Sequence, residues 1–328
     1  MTDKAFYNIA LDKIDSAKFP NFFIVGAMKC GTTALYYLLK QHPDIHMCRI
    51  KEPRFFCHDL IPPKDRRIKS LQEYCALFQP NKNEKIIGEA SPMYFNWDKS
   101  LDRIAVICPT AKILISLRSP AQRLFSSFIF RLKNHGRGMD EKIINDFTKF
   151  FKKHMRNKTN SPVSKMCSAE HLQHVFDRFD KRNVKSLILE EWTKNINATC
   201  KNIYDFLDVD SSFTPKSISL DDMKSNKGFL FRSESLAYLH QSLTEKIRNY
   251  STQKHTFLAR VICKQLVLLR TLIGTLSEKH YVILPEDIYR EITAFYMEDI
   301  KKIEKILDRD LSIWYGEKSY AMCKGQNV

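Results

Sequence analysis

Apolar positions in this chain fall into two kinds of block. Short, nearly unbroken apolar runs occur at Phe22-Phe23-Ile24-Val25, at Ile113-Leu114-Ile115-Ser116-Leu117 and at Ser186-Leu187-Ile188-Leu189, with a weaker run at Lys85–Gly88. A strand that is apolar on both faces is one buried on both faces, as in a parallel sheet. Between these runs the pattern changes to helical spacing. Thr32 to Gln41 places Leu35, Leu38 and Leu39 on one side and stops at His42-Pro43. Pro120 opens a second helix that runs to about Lys133, because proline suits the first helical turn. Strands alternating with helices predict an α/β fold with a central, mainly parallel sheet flanked by helices. From Leu236 to Trp314 the pattern is mostly helical. There Ile292, Phe295, Tyr296, Ile300, Ile303 and Leu307 form a core-facing stripe.

One domain over residues 19–316 is expected, with residues 1–18 as a lead-in and 317–328 as a tail. The stretch 135–162 turns polar, with Lys149, Lys152, Lys153, Arg156 and Lys158 close together. It reads as a solvated helix and loop, or as a lid over an acceptor site.

Composition narrows the function classes. The 328 residues hold 53 lysines and arginines against 37 acidic residues, a net charge of +16. That excess favours anionic partners without choosing among them. Nine cysteines, none in a CxxC pair, suit neither a zinc site nor a dense disulfide framework. His171 and His174 lie three apart with no further ligands at metal-site spacing, so no metal is expected. Met1 to Lys4 does not read as a secretory leader, and Phe257–Leu276 is interrupted by Arg260, Lys264 and Arg270. The expectation is a cytoplasmic protein, monomer or homodimer, without a membrane or nucleic-acid partner.

The strongest chemical signal is Gly26-Ala27-Met28-Lys29-Cys30-Gly31-Thr32-Thr33, lying between an apolar strand and a helix. A glycine-bounded turn there lets backbone N–H groups converge on phosphate oxygens at a helix N-terminus. The plainer reading is a glycine turn alone. In the Walker pattern a lysine follows the second glycine. Here Thr32 stands in that place and the lysine is Lys29, inside the loop. A Mg²⁺-dependent kinase of the P-loop type is therefore disfavoured. A second signal is Arg118 at a strand end, followed by Ser126 about two turns into the next helix, in Leu117-Arg118-Ser119-Pro120-Ala121-Gln122-Arg123-Leu124-Phe125-Ser126. Strand ends of parallel sheets bind ligands, and a guanidinium fork suits a phosphate.

These two segments, with His42-Pro43-Asp44-Ile45 and Lys51-Glu52-Pro53-Arg54-Phe55-Phe56, resemble the sulfotransferase superfamily, nearest its bacterial and heparan-sulfate branch. The resemblance implies a three-layer P-loop-type fold. It implies 3'-phosphoadenosine 5'-phosphosulfate (PAPS) as sulfuryl donor and adenosine 3',5'-bisphosphate (PAP) as product. It places the 5'-phosphosulfate on Lys29, Cys30, Gly31, Thr32 and Thr33, and the 3'-phosphate on Arg118 and Ser126. Lys227 and Gly228 match a later Lys-Gly loop that closes over the nucleotide. It makes Lys29 the group that meets leaving-group charge and Glu52 the general base.

Aromatic neighbours predict a raised pKa for the Glu52 carboxyl. Its plainer reading is an exposed acid before a proline. Glu89, Arg54 and His58 are candidate acceptor contacts, Glu89 as a structural or acceptor-site acid. Ala90 stands where several heparan-type members carry a lysine, which tilts the expected acceptor from heparan-like carbohydrate toward a small molecule. The non-enzymatic rival is a basic nucleic-acid binder, which needs a clustered basic stripe.

Overall fold

The computed structural model describes residues 19–62, 66, 68–81, 84–134, 142–156, 161–216, 228–230, 239, 242–243, 265–269, 278–280 and 282–324. Its centre is a five-stranded parallel sheet. The strands are β1 (Phe22–Gly26), β2 (Ile45–Met47), β3 (Ile86–Ala90), β4 (Lys112–Leu117) and β5 (Val184–Ile188), in the order β2-β3-β1-β4-β5. All four pairings are parallel, with Phe23 opposite Glu89 on one side and Ile113 on the other.

Side chains alternate across a strand, so β1 feeds two cores. Phe22 and Ile24 face one layer, built on α1 (Thr32–Leu39) and later on α8 (Ile196–Leu207), with Leu35, Leu38, Ile203, Tyr204 and Leu207. Phe23 and Val25 face the other, larger layer. It contains α3 (Asp98–Ile107), α4 (Pro120–Asn134), α5 (Ile143–Met155) and α6 (Ala169–Arg178). Two short helices, α2 (Leu71–Cys75) and α7 (Leu189–Trp192), precede β3 and follow β5. The chain continues into α9 (Glu286–Phe295), α10 (Met297–Leu307) and α11 (Ser319–Lys324).

Several details differ from the sequence expectation. β2 is three residues, Ile-His-Met, too short and mixed to register as an apolar run. β3 runs to Ala90, so Glu89 lies within the strand and opposite Phe23, not at its tip. β5 begins at Val184 and ends at Ile188, because Leu189 already starts α7. The C-terminal stripe is divided: Ile292 lies on α9 and Ile300 and Ile303 on α10, all buried, with Tyr296 buried at the break. A two-stranded antiparallel piece, β6 (Gly228–Leu230) with β7 (Glu278–His280), interrupts the helical expectation there. The expected tail includes α11, where the Tyr320 hydroxyl donates to the Leu284 carbonyl at 2.9 Å. Within the polar stretch 135–162, α5 packs through Ile143, Phe147 and Phe151. The Phe147 ring lies 5.0 Å from that of Phe125 and 5.3 Å from that of Phe128, while Lys149, Lys152 and Lys153 face outward.

Candidate active site

The carboxyl ends of β1, β3 and β4 meet at one edge of the sheet, and the segments leaving them form the site. After β1 the chain makes the tight turn 27–31. Gly31 sits at φ 77° and caps α1. A side chain there meets Trp192 Cζ2 at 2.5 Å and Leu189 Cδ1 at 2.8 Å. Gly26 faces the same constraint from the other layer, where a Cβ comes within 2.3 Å of Phe95 Cβ. Glycine is thus required at both ends of the turn, at one for backbone geometry and at both for close approach. Thr32 is buried and Thr33 half-buried in the first turn of α1, whose N-terminus the loop presents. Cys30 is buried, and burial pushes its thiol up to about 11 against the pull of Arg123 and Arg118. Its side chain therefore stays a neutral thiol.

β4 delivers Arg118 to that turn. Arg118 is buried, and its guanidinium donates to the Lys29 carbonyl at 3.3 Å. α4 adds a stripe at i, i+3 and i+7 formed by Arg123, Ser126 and Phe130. Arg123 Nε donates to the Met28 carbonyl at 3.1 Å, and the Lys29 ammonium stands 4.3 Å from the centroid of the Phe130 ring. Ser126 lies between the two along the helix and is buried. The structure therefore gathers Lys29, Cys30, Gly31, Thr32, Thr33 and Arg118, with Ser126 on the helix that carries Arg123. Lys227 lies outside the described residues. Gly228 opens β6, opposite His280 of β7.

The loop after β2 carries the acidic candidate. Glu52 and Arg54 hold positive φ angles of 59° and 58°, as Lys29 does at 70°. Left-handed backbone at three non-glycine residues is a concentration of strain of the kind that gathers at functional sites. The Lys51 ammonium donates to Glu52 Oε1 at 2.7 Å, and the Arg54 guanidinium bonds Oε2. Burial pushes the Glu52 carboxyl up. Lys51 and Arg54, one on each oxygen, outweigh burial and hold it below the usual carboxylate range. The raised value expected from the aromatic neighbours is thus corrected: Phe55 and Phe56 point down into the core, and the carboxylate faces two cations.

Two acceptor candidates are placed inward. Glu89 is fully buried, and the Tyr74 hydroxyl donates to its Oε2. Burial pushes its carboxyl up to about 7, with the hydroxyls of Ser91, Tyr74 and Tyr94 acting against it. His58 is buried, with Nδ1 3.3 Å from the Phe55 carbonyl, and burial with Arg103 lowers its pKa. Both lie in the interior beneath the loop, where strand pairing and the packing of Phe55–Leu60 hold them away from the surface. Arg54 remains half-exposed beside Glu52.

Other residues that shape the site carried little sequence signal. Arg123 is one: its remaining donors reach Met166 O at 3.1 Å, Ser168 Oγ at 2.7 Å and Asn96 Oδ1 at 3.0 Å. The buried Glu190 is another. It accepts from Ser119 N–H at 3.0 Å and from Trp314 Nε1 at 2.9 Å, tying the start of α4 to the C-terminal helices. His171 and His174 face separate acids, Asp98 at 2.9 Å and Asp102 at 3.0 Å. Among the described residues no three metal-ligating side chains cluster, and no helix is long and apolar enough to cross a membrane.

The chain is similar to known sulfotransferases. The sulfotransferase domain profile matches residues 19–267. The membrane-associated sulfotransferase kil1 of Dictyostelium discoideum is 34% identical over 114 residues, covering 35% of this chain and 23% of that protein. Human carbohydrate sulfotransferase 15 is 25% identical over 245 residues, covering 58% of this chain and 44% of its own length. The chain thus spans less than half the length of these relatives. A crystal structure of a sulfotransferase from Alicyclobacillus acidocaldarius superposes with a TM-score of 0.62 at 25% identity, covering 90% of this chain and 98% of the other. With a profile match over most of its length and a sheet whose carboxyl edge is built as described, the chain belongs to the sulfotransferase domain family.

Proposed function

We propose that this protein transfers a sulfuryl group from PAPS to a hydroxyl or amine of a carbohydrate or small-molecule acceptor. The observation that carries the reading is the bond from the Arg118 guanidinium to the Lys29 carbonyl. It supports assigning the segments after β1 and after β4 to one bisphosphorylated nucleotide, because it joins the two directly. The turn 27–31 with Thr32 and Thr33 takes the 5'-phosphosulfate, and Arg118 with Ser126 takes the 3'-phosphate.

In the transfer, the acceptor oxygen or nitrogen forms a bond to sulfur as the bond from sulfur to the bridging phosphate oxygen breaks. The acceptor's proton passes to Glu52, and the electron pair of the broken bond stays on the departing phosphate. Lys29 meets that charge, which is larger in the transition state than in the ground state and therefore lowers the barrier. Glu52 is ionised at neutral pH and ready to accept, and its cationic partners hold it in place. Arg54, at the rim beside Glu52, contacts the acceptor. No metal has a role in this scheme.

For the acceptor, the likeness to human carbohydrate sulfotransferase 15 and to the heparan sulfate glucosamine 3-O-sulfotransferase 6 of mouse, 32% identical over 113 residues, favours a carbohydrate over the small molecule suggested by Ala90. A cytoplasmic, metal-independent enzyme, monomeric or homodimeric and with no nucleic-acid partner, completes the reading.

The test compares thermal stabilisation by PAP with that by ADP plus Mg²⁺. It is followed by transfer of labelled sulfate from PAPS to chondroitin, desulfated heparin and 2-naphthol. Stabilisation by PAP and label on one of these acceptors are expected. A preference for ADP with Mg²⁺ would sink the reading. Lys29→Ala and Glu52→Gln should each remove most turnover, and Glu52→Gln should leave PAP affinity nearly intact.

A further inference from the structure

The turn that follows β4 is held by residues that the chemistry above leaves unused. Leu117 pairs with Ile188 across β4 and β5, so residues 119 and 190 leave the sheet side by side. There Glu190 Oε1 accepts the Ser119 N–H at 3.0 Å, and its Oε2 accepts the Trp314 indole N–H at 2.9 Å. Tyr289, on α9, reaches the same place. Its hydroxyl donates to the Trp314 carbonyl at 2.6 Å, and the Ser119 hydroxyl donates to it at 3.3 Å. The directions agree: a carbonyl can only accept, so the Tyr289 proton goes to Trp314 and its oxygen is left to accept from Ser119. All four residues are buried. A buried network whose members satisfy one another is stiff, because a member that turns leaves a polar group unpaired.

We propose that Glu190, Tyr289 and Trp314 are positioning residues for Arg118, which makes the C-terminal segment part of the donor site. The peptide unit is planar, and the Ser119 N–H lies in one plane with the Arg118 carbonyl. Holding that N–H therefore fixes the ψ angle of Arg118, and with it the direction in which the side chain leaves the strand. From there the guanidinium reaches the Lys29 carbonyl at 3.3 Å. Tyr289 and Trp314 keep Glu190 and the Ser119 hydroxyl in register with that peptide.

Local structure does not supply this hold. α4 begins at Pro120, and its backbone takes up the Ser119 carbonyl through the Arg123 N–H at 2.8 Å. The Ser119 N–H precedes the helix and has no partner within it, and Pro120 has no N–H to offer. Ser119, as the residue before a proline, is itself confined. The freedom that remains between β4 and α4 is the rotation at Arg118, and that is what Glu190 removes. The sulfotransferase profile ends at residue 267, so Tyr289 and Trp314 lie outside the segment that matches the family.

The inference rests on the sulfotransferase reading, which gives the 3'-phosphate to Arg118, and the test keeps the two apart. Affinities for PAP and for AMP, which lacks the 3'-phosphate, are measured by titration calorimetry. The proteins are the wild type, Tyr289→Phe, Trp314→Phe, Glu190→Gln and the double variant Glu190→Gln/Trp314→Phe. Hydrogen exchange at the Ser119 amide is followed in each. Every single variant should bind PAP about tenfold more weakly, the equivalent of one lost hydrogen bond, at unchanged AMP affinity, and exchange at Ser119 should quicken about tenfold. A merely structural role would weaken both nucleotides alike. Trp314→Phe strands a carboxylate oxygen, and Glu190→Gln sets an amide N–H against the indole N–H. Together they leave an amide oxygen for the Ser119 N–H and an apolar ring beside the amide nitrogen, so the double variant should recover PAP affinity toward wild type. Equal loss for PAP and AMP overturns the proposal, as does wild-type PAP affinity in the single variants, or a double variant weaker than both of its parents. If Glu190→Gln does not fold, Tyr289→Phe and Trp314→Phe, each of which keeps an aromatic ring, decide by the same criteria. A wild type that binds PAP no better than AMP refutes the sulfotransferase reading instead. The Ser119 amide then judges the hold alone: wild-type exchange in Tyr289→Phe and Trp314→Phe overturns it.

Discussion

Replacing Arg123 with lysine tests whether the donor loop is held from behind by one side chain. The guanidinium is buried and bonds four acceptors in three separate segments: Met28 O in the loop, Asn96 Oδ1 after β3, and Met166 O and Ser168 Oγ before α6. Lysine keeps the charge but is a compact ammonium that cannot span three segments. At least two of the four acceptors then lose a charged donor inside the protein. A net of about 1 to 1.5 kcal/mol per hydrogen bond gives a loss of about 2–4 kcal/mol. At about 2 °C per kcal/mol for a domain of this size, the melting temperature should fall by about 4–8 °C. Because one broken bond anchors Met28, the loop itself should loosen, and PAP affinity should drop about tenfold or more. Urea unfolding followed by the fluorescence of the buried Trp192 and Trp314 measures the first effect, and titration calorimetry with PAP the second. A variant within about 0.5 kcal/mol of wild type that binds PAP equally well would refute the bracket, since that is the range of an ordinary surface substitution.

Other predictions follow from the same geometry. Gly31→Ala should abolish PAP binding while leaving a folded protein by circular dichroism, because a Cβ at φ 77° collides with Trp192 and Leu189 and must push the turn open. Removing Lys51 and Arg54 together leaves burial as the largest influence on Glu52, so its pKa must rise. The acid limb of kcat should move to higher pH in Lys51→Ala/Arg54→Ala, and an unmoved limb would show that another group sets it. In the wild type the lowered Glu52 pKa contributes stability above its unfolded value, lost as pH falls through the folded one. That acid-side loss should be smaller in the double variant. Glu89 has the opposite sign. Its folded pKa of about 7 lies above the usual carboxyl value of 4.5, so the folded state binds the extra proton and stability falls as pH rises between those values, by about 3 kcal/mol. Glu89→Gln should flatten that slope in urea titrations run from pH 4 to 8.

Much of the frame is decided locally and is therefore readable along the chain. A strand buried on both faces is apolar at nearly every position, which is why Phe22–Val25 and Ile113–Leu117 stand out. A turn that approaches Trp192 as closely as Gly31 does has to be glycine. Proline at 120 marks the start of α4 because its fixed φ suits a first turn. The place of Lys29, Thr32 and Thr33, in and just after a turn between a strand and a helix, is legible for the same reason. Tertiary structure decided what depends on partners far along the chain. The Glu52 carboxyl is set by which cations reach its two oxygens, and Lys51 and Arg54 outweigh the burial that the Phe55-Phe56 pair suggests. Glu89 is an acid before a serine in the sequence. Only pairing of β3 with β1 and β2 and the covering aromatics bury it, and a carboxyl's charge state follows its surroundings. Arg123 could equally have faced solvent. Its role appears only when residues 28, 96, 166 and 168 converge on one guanidinium, because long-range hydrogen bonds leave no periodic trace in a chain.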